Sequence, residues 1–263
     1  METIAEMFDL RGKTAIVTGG GKGIGRAIAD RLAEAGAAVM IADIDLDAAA
    51  KAVQSIREKG GKAEATRCDV SVAAEARKTI EATVQAFGDI HILVNNAGVY
   101  PGKMFLELTE EVWDRTINTN LKSTAFFSQA AAQAMIKAGH GGKIINIGSG
   151  SSFRPSGKGL AHYCAAKGGV VSLTRAMAKE LTPYGILCNT VIASTVKSFD
   201  TSGSPELTKI LEERGKTLPL GRWGEVDDIA KVVLFMASSA SDYITAGDVS
   251  ADGGIVWTGK GGD

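Results

Sequence analysis

The chain has 263 residues, 29 Lys+Arg against 30 Asp+Glu and a formal net charge of -1, a balance that gives no electrostatic footprint for nucleic acid or an anionic membrane surface. With 45% hydrophobic and 22% charged residues it can bury a full core, which excludes a disordered chain, and residues 1–263 suit one large domain. Cys68, Cys164 and Cys188 are too far apart for a C-x-x-C pair, Met1–Glu6 lacks the regions of a signal peptide, and no run approaches about eighteen apolar residues, so a cytoplasmic setting, no membrane and a small-molecule partner are expected.

Short β-rich runs alternate with helical patterns. Strands over Thr14–Thr18, Ala38–Ala42, Ala63–Arg67 and Ile90–Asn95 are followed by helices over Ile24–Ala35, Asp47–Lys59, Val72–Phe87 and a long run Glu110–Lys137. The rhythm continues with a strand at Lys143–Ile147, a helix over His162–Leu181, a strand near Ile186–Ile192, a helix over Val226–Ala237 and a last strand near Asp248–Ala251. This alternation predicts an α/β fold, a single-domain Rossmann-like doubly wound parallel sheet of about seven strands with helices on both faces. Residues 194–224, with a short helix from Glu206 to Arg214, form the least regular stretch, and a segment of that kind at the strand carboxyl edge is expected to cover a substrate.

The first strand runs into Thr18-Gly19-Gly20-Gly21-Lys22-Gly23-Ile24-Gly25 and then a helix. Free backbone N–H groups and the helix dipole at such a turn can face a pyrophosphate, and the missing Cβ atoms of Gly19, Gly23 and Gly25 permit close approach. The spacing is T-G-x-x-x-G-x-G rather than G-x-G-x-x-G. Asp43 ends the second strand, where a carboxylate can accept hydrogen bonds from an adenosine ribose and would repel a 2′-phosphate. Lys22 pulls the other way, because it can pair with that phosphate. The balance favours NAD over NADP. P-loop and G-x-S-x-G readings fail: Met7 and Ile210 stand where the leading P-loop glycines belong, and Ile147 and Ser151 flank Gly148-Ser149-Gly150. No metal-ligand cluster is visible in the sequence.

Tyr163 and Lys167 are four residues apart on a predicted helix and can share one face. They follow a strand that carries Ser149 at its carboxyl end, the sheet edge where the glycine turn would place a dinucleotide. Together with Asp69 after the third strand, Asn95-Asn96-Ala97-Gly98 after the fourth, Asn120 and Asp252-Gly253-Gly254, these motifs make nearly the whole chain resemble the short-chain dehydrogenase/reductase family.

The resemblance implies an NAD(H)-dependent oxidoreductase that interconverts a secondary alcohol and a ketone, with Tyr163 as general acid/base, Lys167 lowering its pKa and holding the nicotinamide ribose, Ser149 on the substrate oxygen and Asn120 positioning a proton-relay water. It further implies cofactor contacts from Gly19, Gly21, Lys22, Gly23, Ile24, Gly25, Asp43, Asp69, Val70, Asn96, Ala97, Gly98, Tyr163, Lys167, Val196 and Ser198, and a homotetramer associated through Glu110–Lys137 and His162–Leu181. Two departures stand out. Ser149 lies fourteen residues before Tyr163 rather than the family's thirteen, which leaves Ser151 in reserve, and Ala193-Ser194 replaces the common Pro-Gly.

Tyr100, Phe153, Arg154, Lys158, His162 and Lys197 are the candidate substrate contacts, and they would suit a polyol, a sugar or an anionic hydroxy compound, although loop charges are ordinarily solvated. An NADPH-dependent 3-oxoacyl thioester reductase and a non-catalytic cofactor-binding regulator are the alternatives.

Overall fold

A computed structural model describes residues 1–155, 157–198 and 205–258. In chain order the elements are α1 Ile4–Met7, β1 Thr14–Thr18, α2 Gly23–Glu34, β2 Ala38–Asp43, α3 Leu46–Glu58, β3 Lys62–Arg67, α4 Ala73–Phe87, β4 Ile92–Asn95, α5 Glu110–Ile117, α6 Ser123–Ala138, β5 Gly142–Ser149, α7 Ala161–Leu181, β6 Ile186–Ala193, β7 Val196–Lys197, α8 Pro205–Lys216, β8 Gly224–Glu225, α9 Val226–Ala237, β9 Asp248–Ala251 and α10 Ile255–Thr258. Seven strands form one sheet in the order β3-β2-β1-β4-β5-β6-β9, and every pairing in it is parallel. The strand order reverses between β1 and β4, so the crevice at their carboxyl ends is the place where an open α/β sheet takes a ligand.

The sheet is covered on both faces, which is why β1 is buried along its whole length. The period of two still operates inside that apolar run. Ala15 and Val17 join the core that includes Ile28, Leu32, Val53, Ile229 and Val233 from α2, α3 and α9. Ile16 turns to the other face, among Ile80, Phe127 and Met135 from α4 and α6. Arg31 Nε and Nη2 donate to the two carboxylate oxygens of Asp227 at 2.7 and 2.9 Å, a two-pronged pair that ties α2 to the first turn of α9. A buried polar row crosses the sheet on the second face. Asn95 Nδ2 donates to Ser128 Oγ and Asn146 Oδ1, and Asn146 Nδ2 donates to Thr174 Oγ1, so α6, β4, β5 and α7 are held in register by hydrogen bonds that an apolar core would lack.

The long helical run expected over Glu110–Lys137 is divided. A π-helical turn, Asn118–Lys122, separates α5 from α6, and such turns concentrate at functional positions. Strands β2 and β5 run one and two residues past the expected ends, to Asp43 and Ser149. In the 194–224 stretch, α8 replaces the shorter helix expected over Glu206–Arg214, and β7 pairs in parallel with β8; residues 199–204 lie outside the described residues.

The turn after β6 carries an unusual backbone angle. Thr195 has φ +49°, a left-handed conformation that crowds a β-branched side chain. The permissive angle therefore falls one residue after Ser194, the position where the resembling pattern has glycine. Thr195→Gly is expected to raise stability by up to about 1 kcal/mol in chemical denaturation, whereas Ser194→Gly, which only loosens the unfolded chain, is expected to lower it by about 0.5–1 kcal/mol.

Candidate active site

The turn after β1 is built by close packing. Thr18 Oγ1 accepts from the backbone N–H groups of Asn96 and Ala97 at 3.0 and 3.1 Å. Asn96 Nδ2 returns two bonds, to the carbonyls of Thr18 and Gly19 at 3.0 and 3.1 Å. A Cβ on Gly25 would stand 2.1 Å from Gly19 O and 2.4 Å from Asn96 Nδ2, so no side chain fits there. Gly19 itself has φ +63°.

A groove of about 680 Å³ runs along this edge, lined by Gly19, Lys22, Gly23, Ile24, Gly25, Asp43, Asp69, Val70, Asn96, Ala97, Gly98 and Ser198. Those expected cofactor contacts are thus brought together. Gly21 is not in the lining: its N–H donates to Asp43 Oδ2 at 2.8 Å and so fixes the carboxylate at the groove wall. Asp43 Oδ1 accepts from the Asp45 N–H. Lys22 is tied to Asp45, Nζ to Oδ2 at 2.6 Å. Asp69 closes its own turn by accepting from the N–H and hydroxyl of Ser71. Ile44, Cys68, Arg115, Asn118 and Thr119 also line the groove; no spacing rule marked them, because they arrive from strand ends, from the last turn of α5 and from the π turn.

The groove opens into a second cavity of about 410 Å³, and Ile24, Asn96, Gly98 and Ser198 border both. Ser149, Tyr163, Lys167, Asn120 and Val196 line it. Ser149 stands at the end of β5, where its Oγ accepts from the Ser151 N–H at 3.1 Å and its side chain faces the Tyr163 phenol closely enough to favour the phenolate. Ser151 lines the same cavity, and its side chain acts on the Cys164 thiol in the same direction. Lys167 Nζ lies 6.0 Å from the Tyr163 ring centroid and donates to Ile147 O at 2.7 Å.

Electrostatics separate the two groups. Burial pushes the Tyr163 phenol above its ordinary value, and the Ser149 side chain opposes that shift. Burial also pulls the Lys167 ammonium down to about 8. The expected depression of the tyrosine by Lys167 is therefore not a property of the protein alone.

Asn120 sits in the π turn. Its Nδ2 donates to Val99 O and Thr116 O at 2.8 and 2.9 Å, while Oδ1 is buried without a partner. A Cβ on Gly98 would lie 2.6 Å from that Oδ1, so a side chain there would collide with the oxygen.

Of the candidate substrate contacts, only Tyr100 lines the cavity, its ring edge-on to Tyr163 at 6.1 Å between centroids. Phe153 packs against Trp257 at 5.3 Å, Arg154, Lys158 and Lys197 are outside the lining, and His162 is fully buried. Leu160, Thr195 and Trp223 line the cavity instead. Trp223 is far away in sequence and enters because its Nε1 donates to Leu211 O, which docks it on α8.

Folding also assembles one group of metal-ligand type that the sequence did not reveal. Asp89, His91 and His140 meet at the opposite sheet edge. His140 is bonded to Gly141 O and Asp89 Oδ2 at 2.8 Å and stacks on His91 with an interplanar angle of 11°. Imidazole lone pairs lie in the ring plane, so stacked, near-parallel rings do not aim at one ion.

The buried lysine has a measurable signature. Between about pH 8 and 10.5 the unfolded chain keeps a proton that the folded Lys167 has shed, so this group's contribution to stability rises with pH across that window. In denaturation experiments the stability difference between wild type and Lys167→Met is expected to move toward wild type by up to about 3 kcal/mol over this range, with a flat difference as the contrary outcome.

The family model described as Enoyl-(Acyl carrier protein) reductase matches residues 19–256. The chain is 40% identical to a (3R)-3-hydroxyacyl-CoA dehydrogenase of Rattus norvegicus, over 96% of this chain and 99% of the relative. It is 39% identical to an L-rhamnose 1-dehydrogenase (NAD(P)(+)) of Azotobacter vinelandii, over 92% and 96%. The crystal structure of a short-chain type dehydrogenase/reductase from Mycobacterium marinum superposes with a TM-score of 0.90 at 35% identity and covers 97% of this chain and 100% of that one. With the parallel seven-stranded sheet, the glycine turn at its switch point and the cavity shared by Ser149, Tyr163 and Lys167, these likenesses carry one conclusion: the chain belongs to the short-chain dehydrogenase/reductase family.

Proposed function

We propose that the protein interconverts a secondary alcohol and a ketone with NAD(H), using Tyr163 as the general acid/base. The observation that carries this reading is the continuity of two spaces: a dinucleotide-sized groove with Asp43 at one end opens into the cavity where Ser149, Tyr163 and Lys167 converge. The groove suits a dinucleotide, since a Cβ at Gly25 would block the turn and the Asp43 carboxylate is held in the wall by Gly21. A bound nicotinamide dinucleotide supplies the carbon that gives or takes the hydride. The protein's part is then proton management and alignment. Tyr163 takes the alcohol proton during oxidation and returns it during reduction, Ser149 hydrogen-bonds the substrate oxygen, and the Lys167 ammonium favours the phenolate. Asn120, whose buried Oδ1 has no protein partner, is the residue to hold a relay water beside them.

Asp43 supports NAD, because a fixed carboxylate repels a 2′-phosphate, while the exposed pairing of Lys22 with Asp45 offsets part of that lysine's pull toward NADP. A neutral polyol or sugar is the substrate class favoured: among the described residues the only cationic side chain in the cavity lining is Lys167, and a relative is an L-rhamnose 1-dehydrogenase. The second reading is a 3-hydroxyacyl or 3-oxoacyl thioester, favoured by the rat relative. We further infer a cytoplasmic enzyme with free thiols, and a homotetramer joined through the surfaces around α5, α6 and α7, where Trp113 and Phe126 are left partly exposed.

Cofactor reduction across neutral, polyol and anionic alcohols and a 3-hydroxyacyl thioester tests the chemistry. Turnover with NAD should exceed that with NADP, Asp43→Ala should narrow the gap by roughly tenfold, and Tyr163→Phe should lower kcat by about 10²–10⁴ while cofactor still binds. Undiminished turnover in Tyr163→Phe overturns the assignment. For the assembly, light scattering should return a mass of four chains rather than one.

A further inference from the structure

We infer that His162 is a positioning residue, whose ring holds the Val99–Pro101 loop so that Tyr100 forms the front wall of the substrate cavity beside Tyr163. This rests on the proposed alcohol/ketone reading, and it gives His162 a task that neither the glycine turn nor the Tyr/Lys pair performs. His162 Nε2 lies 2.8 Å from Pro101 O. A carbonyl only accepts, so Nε2 carries the proton and donates. One residue to the other side of Tyr100, Val99 O accepts from Asn120 Nδ2 at 2.8 Å. The backbone is thus gripped on both sides of Tyr100, from α7 and from the π turn. A third bond, Lys103 N–H to Gly159 O at 2.9 Å, fastens the loop to the segment leading into α7.

Tyr100 depends on this grip. It is 67% exposed, it sits between Val99 and Pro101-Gly102, and its recorded ring contact is the edge-on one with Tyr163. Packing does not fix such a side chain, so the backbone must. His162 is also a poor choice for packing alone. Its ring is fully buried, yet Nδ1 has no hydrogen-bond partner, a desolvation cost that Leu or Phe would avoid. Because His162 directly precedes Tyr163 on α7, the position of the cavity wall is referenced to the proposed acid/base itself.

The test compares His162→Leu, which removes the donor, with His162→Gln, whose amide can donate from nearly the same place. KM for the best alcohol of the panel should rise about tenfold or more in His162→Leu, with kcat changed less than about threefold, the pH profile unmoved and NADH affinity retained; His162→Gln should recover most of the KM. In the Tyr100→Ala background, His162→Leu should add no further KM effect, because the two then act through one element. A readout independent of turnover is the 19F NMR signal of Tyr100 in 3-fluorotyrosine-labelled protein, assigned with Tyr100→Phe. It should move toward the free-tyrosine shift in His162→Leu and stay in place in His162→Gln. An unmoved signal overturns the inference whatever the enzyme's activity. Unchanged KM in an active His162→Leu variant also overturns it, as does a loss confined to kcat with an altered pH profile. A moved signal with no wild-type turnover on any alcohol would support the loop clamp and reject the alcohol reading.

Discussion

The close approach of three chain segments at the carboxyl ends of β1 and β4 is the constraint on which the proposed active site depends. Thr18 and Asn96 exchange hydrogen bonds across the switch point, and Gly25 brings the start of α2 against Gly19 with no room for a side chain. A parallel sheet has no hairpin to fix neighbouring strand ends. These side-chain-to-backbone bonds do that work, and they leave the N-terminal turn of α2 facing the groove. Enlarging any of the three segments would move the helix end and the groove together.

The second requirement is electrostatic and runs against the first. Close packing buries Lys167 and half-buries Tyr163, and this desolvation pushes the phenol up and the ammonium down, away from the phenolate and ammonium that the proposed proton transfer needs. The Ser149 side chain opposes the shift on the tyrosine. The lysine is held by Ile147 O on the strand that carries Ser149, so the group with the unfavourable charge is anchored to the central sheet. A site built in this way sets geometry in the free protein and leaves charge stabilisation to be completed by what binds.

Around this fixed centre the cavity walls come from less regular chain. The turn after β6 has no Pro-Gly, and the strained angle is displaced to Thr195, which itself lines the cavity. Trp223 reaches the same cavity by docking on α8. Tyr100 is presented by a loop held at neighbouring carbonyls. Backbone bonds and long-range docking, rather than strand or helix register, set the shape that a substrate meets.

The α/β alternation, the positions of the glycine turn, Asp43 and the Tyr163/Lys167 pair were legible in the sequence, because periodicity and i,i+4 spacing are local properties that survive without knowledge of the partners. The sheet order, the adjacency of groove and cavity, and the presence of both Ser149 and Ser151 in the lining beside Tyr163 were decided by folding. The π turn at Asn118–Lys122 was hidden because its residues continue a helical pattern. Arg154, Lys158 and Lys197, candidates by their proximity to the motifs, lie outside the lining, because nearness along the chain does not decide which side chains face a cavity. His162 was visible as a neighbour of Tyr163. Its hydrogen bond to Pro101, 61 residues away, belongs to tertiary structure, because contacts between distant segments are set by how elements pack and not by any spacing along the chain.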